Sequence, residues 1–187
     1  GGGEMAYWFQ LKAYFNTINI PFPILLLRNS VQIISEKQQR KLDRLHISHE
    51  ELFLKQHLLL SKKVIENAEI QINFKEKITF LENHFSDLKK VAKKTDISFL
   101  NAVNAQEKKQ IKGLQNLEKR LLRAEKRRQK DLVDRITELQ NTLLPNNSLE
   151  ERQRNFSEYY LEYGSALIST LKDTLQPLDL SFTILEM

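Results

Sequence analysis

Much of this chain repeats its apolar positions at alternating steps of three and four. Ile70, Phe74, Ile78, Leu81, Phe85, Leu88 and Ala92 are spaced 4, 4, 3, 4, 3 and 4 apart, the seam of a coiled coil. A second seam follows, Leu117, Leu121, Ala124 and Arg128, then Leu132, Ile136, Leu139 and Leu143. Between them Thr95-Asp96 breaks the pattern, with Asp96 placed to cap a helix start. The pattern predicts one helix over residues 49–93, opened by the capping-box sequence Ser48-His49-Glu50-Glu51, and another over 97–144, stopped by Pro145-Asn146-Asn147. At ~1.5 Å per residue they would be about 68 and 72 Å long. Near-equal lengths joined by a short break predict an antiparallel hairpin. Ser35-Glu36-Lys37-Gln38 is a further capping-box start, for a short helix before it.

The two ends of the chain are patterned differently. Residues 4–18 predict a helix that is apolar on nearly every side, with Tyr7, Trp8, Phe9, Leu11, Tyr14, Phe15 and Ile18 spread around it. Such a helix is normally buried all round, and nothing later in the chain offers enough surface to bury it. After Pro21-Phe22-Pro23, the run Ile24-Leu25-Leu26-Leu27 predicts a fully buried strand of the kind found in parallel sheets. Residues 31–34 predict a second extended piece. Glycine turn, helix and buried strand make the back half of a βαβ unit whose first strand would precede residue 1. Ser148-Leu149-Glu150-Glu151 predicts a helix to about Leu175, and the last six residues a strand. The expected architecture is mainly α: a long antiparallel coiled-coil hairpin (49–144, within a helical region 35–144) protruding from a partial α/β body made of 1–34 and 145–187.

Composition narrows the function classes. The chain has 187 residues, 41% hydrophobic and 28% charged, with 5 Gly, three of them at positions 1–3, and 4 Pro, so long helices must dominate. There is no cysteine, which removes disulfides, thiol catalysis and Cys-ligated zinc and fits a reducing compartment. No run approaches the ~20 apolar residues of a membrane span, and the start is unlike a signal peptide. A cytoplasmic location without membrane contact is therefore expected. The opening glycines are equally an added remnant, a linker or native sequence.

Four clusters carry candidate chemistry. Gly2, Gly3 and Glu4 open a helix, where free N–H groups and the helix dipole favour an anion; Glu4 itself suits the dipole. Arg28, Asn29 and Ser30 follow the expected strand directly, and ligands of open α/β sheets bind beyond strand carboxyl ends; a solvated turn is the plain alternative. Arg152, Asn155, Tyr159 and Tyr163 recur at steps of three and four, and a helix face with a cation, an amide and two phenols suits a nucleotide such as ATP or ADP, or a wet contact between elements. Residues 119–130 hold seven basic side chains, with Lys119, Arg123, Lys126 and Lys130 stacked. They lack an aromatic and are interrupted by Glu125, as on a solvated coiled-coil face, so no sequence-specific nucleic-acid binding is expected. His46, His49, His57 and His84 keep no common ligand spacing, and no metal is expected.

The segments Gly2-Gly3-Glu4-Met5-Ala6-Tyr7-Trp8-Phe9-Gln10-Leu11-Lys12 and Ile20-Pro21-Phe22-Pro23-Ile24-Leu25-Leu26-Leu27-Arg28-Asn29-Ser30 resemble the bacillithiol biosynthesis cysteine-adding enzymes. So do Leu149-Glu150-Glu151-Arg152-Gln153-Arg154-Asn155-Phe156, Tyr159-Tyr160, Tyr163-Gly164 and the ending from Leu178-Asp179 to Phe182-Thr183-Ile184-Leu185. The likeness runs through essentially the whole chain and corresponds to roughly the C-terminal third of the family. It implies a Rossmann-like core, a coiled coil that pairs two subunits, and a ligase joining cysteine to glucosaminyl malate. It also favours native glycines. The N-terminal two-thirds of the family pattern is absent, so this stretch alone is not expected to be a complete catalyst. The competing class is a stand-alone coiled-coil interaction module with a basic, nucleic-acid-contacting face; the aromatic first 22 residues have no use in such a module.

Overall fold

A computed structural model describes residues 2–187; Gly1 lies outside them. The chain is mainly helical and divides into two compact units, one formed by the chain up to Ser35 together with Leu149–Met187, the other by Glu36–Ser148.

In the first unit the expected helix over 4–18 is two helices, α1 (Gly2–Gln10) and α2 (Lys12–Thr17). The ladder tightens at the junction, where the Leu11 N–H donates to Trp8 O, three residues back instead of four. The aromatics that cannot all be buried pack on one another. Phe15 meets Phe22 edge-on at 5.5 Å, Phe9 stacks on Phe22 at 6.2 Å, and Trp8 lies 6.3 Å from Phe15.

The strand expected at Ile24–Leu27 does not form. Residues 20–29 have no regular structure, and Ile24 and Leu26 are 87% and 68% exposed. Pro21 and Pro23 remove two donors at the entry to the run, and no strand among the described residues lies beside it. The second extended piece does form, as β1 (Ser30–Ile34), and the chain end supplies β2 (Phe182–Glu186). The two strands are parallel, with Ser30 opposite Phe182 and Ile34 opposite Glu186. Gln32 and Ile34 are completely buried.

The helix expected from 148 to about 175 is also divided. A 3-10 turn (Glu150–Arg152) comes first, and the two helices that follow it are, in chain order, α9 (Phe156–Tyr163) and α10 (Ser165–Thr174). Gly164 separates them at φ 59°, ψ −142°, a region nearly closed to residues with a Cβ. A Cβ there would meet no atom within 4 Å, so the obstacle is backbone strain alone. Gly164→Ala is expected to cost about 1–3 kcal/mol in denaturant unfolding. A loss of only a few tenths would show that the junction relaxes without strain.

The second unit begins with α3 (Glu36–Arg44) and α4 (His49–Leu52). The capping box at Ser48 is present in full, with Glu51 N–H donating to Ser48 Oγ and Ser48 N–H donating to Glu51. The helix expected over 49–93 is interrupted twice, giving α4, α5 (Gln56–Glu66) and α6 (Lys75–Ala92). At the first break the buried Gln140 amide donates to Leu52 O and Leu54 O, both at 2.8 Å, so tertiary bonds replace the helical ladder. At the second, Ile72 is buried and the Phe74 N–H donates to the Glu118 carboxylate at 2.8 Å. Ile70, assigned to the seam by spacing, is exposed instead.

Asp96 caps α7 (Ile97–Arg128) by accepting from Phe99 N–H. α8 (Lys130–Leu143) follows after a single irregular residue, Gln129, whose side chain donates to Val64 O and to Glu125. Pro145 ends it as expected. α6 and α7 pack through Phe85, Ala92 and Val103, with Leu81 and Leu100 against them. Lys89 pairs with Glu107, and further along Phe74 meets Glu118. Leu117 and Ala124, placed in the seam by spacing, are exposed, while Glu125 is buried against Arg128 and Gln129. Ile136, Leu139 and Leu143 are buried as the seam predicts, on α8, which packs against α5.

Candidate functional site

The aromatic first helix and the irregular segment after Pro21 enclose a hollow of about 610 Å³ in the first unit. Glu4 and Trp8 of α1 line it, with apolar walls from residues 23–27, and Arg28, Ser30 and Arg152 at its polar side. Arg28 forms no hydrogen bond or ion pair among the described residues. Two guanidiniums on one partly apolar hollow are suited to a planar anion such as a carboxylate or phosphate.

The expected site residues fall into distinct roles. Glu4, Arg28 and Ser30 come together. Gly2 and Gly3 form the first turn of α1, where backbone N–H groups lack intrahelical acceptors. Asn29 turns elsewhere: its amide donates to Gln176 O at 2.9 Å and Asp179 O at 3.2 Å, clamping the segment that leads into β2. The Ser30 hydroxyl is engaged by Glu151 at 3.2 Å.

Arg152, Asn155, Tyr159 and Tyr163 do not share one helix face. Arg152 ends the 3-10 turn and lines the same hollow as Arg28, while Asn155 caps α9 by accepting from Ser157 N–H at 2.9 Å. The Tyr159 hydroxyl is buried, with the Glu150 carboxylate as its polar neighbour. Burial, with the Glu150 charge beside it, pushes its phenol well above the ordinary range. Burial also raises the Tyr163 phenol, with Glu162 adding to the effect.

A buried polar group underlies this arrangement, and spacing did not single it out. Glu150 accepts from Gln32 Nε2 at 2.5 Å and pairs with Arg154 at 2.7 Å. Burial raises the Glu150 carboxyl, opposed by Tyr159, Arg154 and Gln32. These contacts, with Ser30–Glu151, tie the 3-10 turn to β1 and so place Arg152 at the hollow. The available signal was Gln32 itself, a polar residue between Val31 and Ile33 inside an apolar run.

In the second unit the basic stripe is partly engaged. Lys126 donates to Ser61 Oγ at 2.9 Å, and Lys130 pairs with Asp134 at 2.5 Å. His49 bonds Gln39. No group of three metal-ligating side chains occurs among the described residues, and no described helix is long and apolar enough to cross a membrane.

Residues 31–187 match the family model described as the bacillithiol biosynthesis BshC C-terminal coiled-coil domain, and residues 1–29 match that of the BshC N-terminal Rossmann-like domain. Among curated relatives, a protein of Christiangramia forsetii named "Putative cysteine ligase BshC" is 54% identical over 185 residues, 99% of this chain and 34% of that protein. One of Flavobacterium psychrophilum with the same name is 52% identical over 186 residues, 100% of this chain and 35% of its own length. A more distant one, of Cytophaga hutchinsonii, is 29% identical over 95% of this chain and 34% of its length. The chain thus spans about a third of the curated relatives it matches, and it belongs to the BshC family of bacillithiol biosynthesis, as a C-terminal fragment of that family's sequence.

Proposed function

We propose that this chain is the C-terminal part of a cytoplasmic ligase that adds cysteine to glucosaminyl malate in bacillithiol biosynthesis. Its partner is the N-terminal remainder of the same enzyme. In this reading residues 1–34 complete a Rossmann-like α/β domain and 145–187 return to it, while 35–144 form the helical region. The family match over the chain supports the reaction, and the observation that carries a site within this piece is the convergence of Arg28 and Arg152 on one hollow. An anionic group of a ligand, a malyl carboxylate or a phosphate, would be held there by the two guanidiniums and the first-turn N–H groups of Gly2 and Gly3. Glu4 would orient an amine. Asn29 and Ser30 would hold the strand entry that presents Arg28. Arg152, Asn155, Tyr159 and Tyr163 border the neighbouring turn and helix, where a nucleotide, ATP or ADP, would bind.

The α6–α7 pair serves in this reading as an antiparallel coiled-coil hairpin that dimerises two subunits. The rising partner numbers along α7 as α6 is followed backwards, Lys89 with Glu107 and Phe74 with Glu118, support the antiparallel sense. The competing reading, a free-standing module with a basic nucleic-acid-contacting face, is less supported because Lys126 and Lys130 are engaged within the unit.

Arg28→Met in the complete polypeptide tests the site, since it removes the charge and keeps most of the side-chain length. A lost hydrogen bond to a charged group is worth ~1.5–3 kcal/mol, which predicts a KM for the anionic substrate raised roughly 10- to 150-fold. Unchanged substrate affinity and turnover would make Arg28 a solvated turn residue.

A further inference from the structure

A two-stranded sheet is marginal by itself, and parallel sheets occur with both faces covered and with several strands. The β1–β2 pair is parallel and has no third strand among the described residues. Its register shows which edge is available. Met187 N–H donates to Ile34 O at 3.0 Å across the pair. In a parallel ladder a residue directs its N–H and C=O to the same neighbour, and the next residue directs both to the other side. Ile34, and with it Gln32 and Ser30, therefore face β2, while Val31 and Ile33 face away. By the same alternation Thr183, Leu185 and Met187 face β1, and Ile184 and Glu186 present their backbone groups outward.

The two outer edges are treated differently. On that of β1 two of the four outward groups are taken by side chains: Val31 N–H donates to Glu151 Oε2 and Gln32 Nε2 donates to Ile33 O, both at 3.3 Å. Both are among the outward-facing groups that the alternation identifies, so the assignment is supported twice. On the outer edge of β2 no side chain bonds the Ile184 backbone among the described residues. Phe182-Thr183-Ile184-Leu185-Glu186 contains no Pro, no bulge and no charge before its last residue, and so lacks the devices that protect a free edge.

We infer that the outer edge of β2, through the backbone groups of Ile184 and Glu186, accepts a further parallel strand from the Rossmann-like remainder of the same polypeptide. The inference rests on the C-terminal reading above and adds to it the edge of attachment. Three observations select this occupant. The existing pair is parallel, the sheet type of Rossmann-like domains. The chain spans only about a third of its relatives, and the Rossmann-like family model covers just residues 1–29 here, so most of such a sheet lies in the relatives' other two-thirds. Residues 1–29 also run directly into β1 at Ser30, which tethers that domain beside this sheet.

The test compares amide exchange at single residues in this chain and in the complete polypeptide. The Ile184 and Glu186 amides, exchanging rapidly in the chain alone, are expected to slow by about 100-fold or more in the complete polypeptide. Ile184→Pro removes one outward N–H and none that faces β1, so in the complete polypeptide it should keep the Leu185 amide protected while the Glu186 amide returns towards rapid exchange. Ile184 and Glu186 amides that stay unprotected in a complete polypeptide with ligase activity overturn the edge inference and leave the family reading standing. Protection of those amides in the chain alone, rising with its concentration, makes a second copy the occupant and also overturns it. A folded complete polypeptide that neither protects these amides nor adds cysteine overturns both.

Discussion

Lys63→Met will destabilise the Glu36–Ser148 unit by about 3–5 kcal/mol, the penalty for removing one partner of a buried ion pair. Lys63 is 6% exposed, and its ammonium holds Glu51 at 2.7 Å, Glu66 at 3.0 Å and the His46 carbonyl. Methionine fills the stem and supplies no donor, so three acceptors lose a bond at one point. Glu51 suffers most, because the same carboxylate closes the capping box of α4. Lys62, half-exposed although it also reaches Glu51 at 2.5 Å, is the control: Lys62→Met should cost no more than about 1 kcal/mol. Equal losses in urea unfolding of the two variants would sink the assignment.

The same cluster sets an acid limit. Burial pushes the Glu51 carboxyl up, but bonds from Lys62, Lys63 and the Ser48 N–H outweigh it and hold the group at about 2, against an ordinary 4.5. The folded value lies below the unfolded one. The contribution is therefore complete above about 4.5 and is lost as pH falls towards 2. Glu150 in the other unit has the opposite sign. Burial raises its carboxyl, so its ionised form weakens the fold, and protonation removes that cost as pH falls through its raised value.

What the sequence revealed and what it hid divide along one physical line. Features set within a few residues were legible: the Ser48 box, the Asp96 cap, the stop at Pro145, and the extended pieces at 31–34 and the chain end. Features set by distant partners were not. The breaks in the expected helix over 49–93 depend on Gln140 donating to Leu52 and Leu54 and on Glu118 accepting from Phe74. Neither interaction appears in a local heptad count. The seam on α7 was displaced for a related reason. Leu117 and Ala124 satisfy the spacing, yet Glu125 takes a buried place because Arg128 and Gln129 neutralise and bond it.

The residues of the proposed site were legible as types and less so as geometry. Glu4 in the first helix and Arg28 and Ser30 after an apolar run line one hollow, whereas Asn29 turns to Gln176 and Asp179. The spacing of Arg152, Asn155, Tyr159 and Tyr163 was read as helical, but a 3-10 turn and the Asn155 cap separate Arg152 from the tyrosines. That break is what places Arg152 beside Arg28 at the hollow. Ile24–Leu27 has the composition of a buried strand, and no strand among the described residues is beside it.

Phe85→Ala and Phe80→Ala are expected to separate the two uses of α6. Phe85 is buried with Ala92 and Val103 between α6 and α7, with Leu81 and Leu100 around it. Truncating it removes most of a ring from a narrow seam that has few other apolar residues to close the space, and a loss of about 3–5 kcal/mol is expected. The loss should concentrate in α6 and the start of α7, seen as faster amide exchange there than in α5 and α8. Phe80 lies on the same helix but is 75% exposed. With Val91, Ile97 and Phe99, also exposed, it belongs to apolar surface left after the helix pair has formed. Phe80→Ala should therefore leave monomer unfolding within about 0.5 kcal/mol of the parent. If the hairpin dimerises, it should weaken self-association in sedimentation equilibrium. Equal unfolding losses for the two variants would mean that the seam is not where α6 gains its stability. An unchanged association constant for Phe80→Ala would remove that ring from the dimer surface.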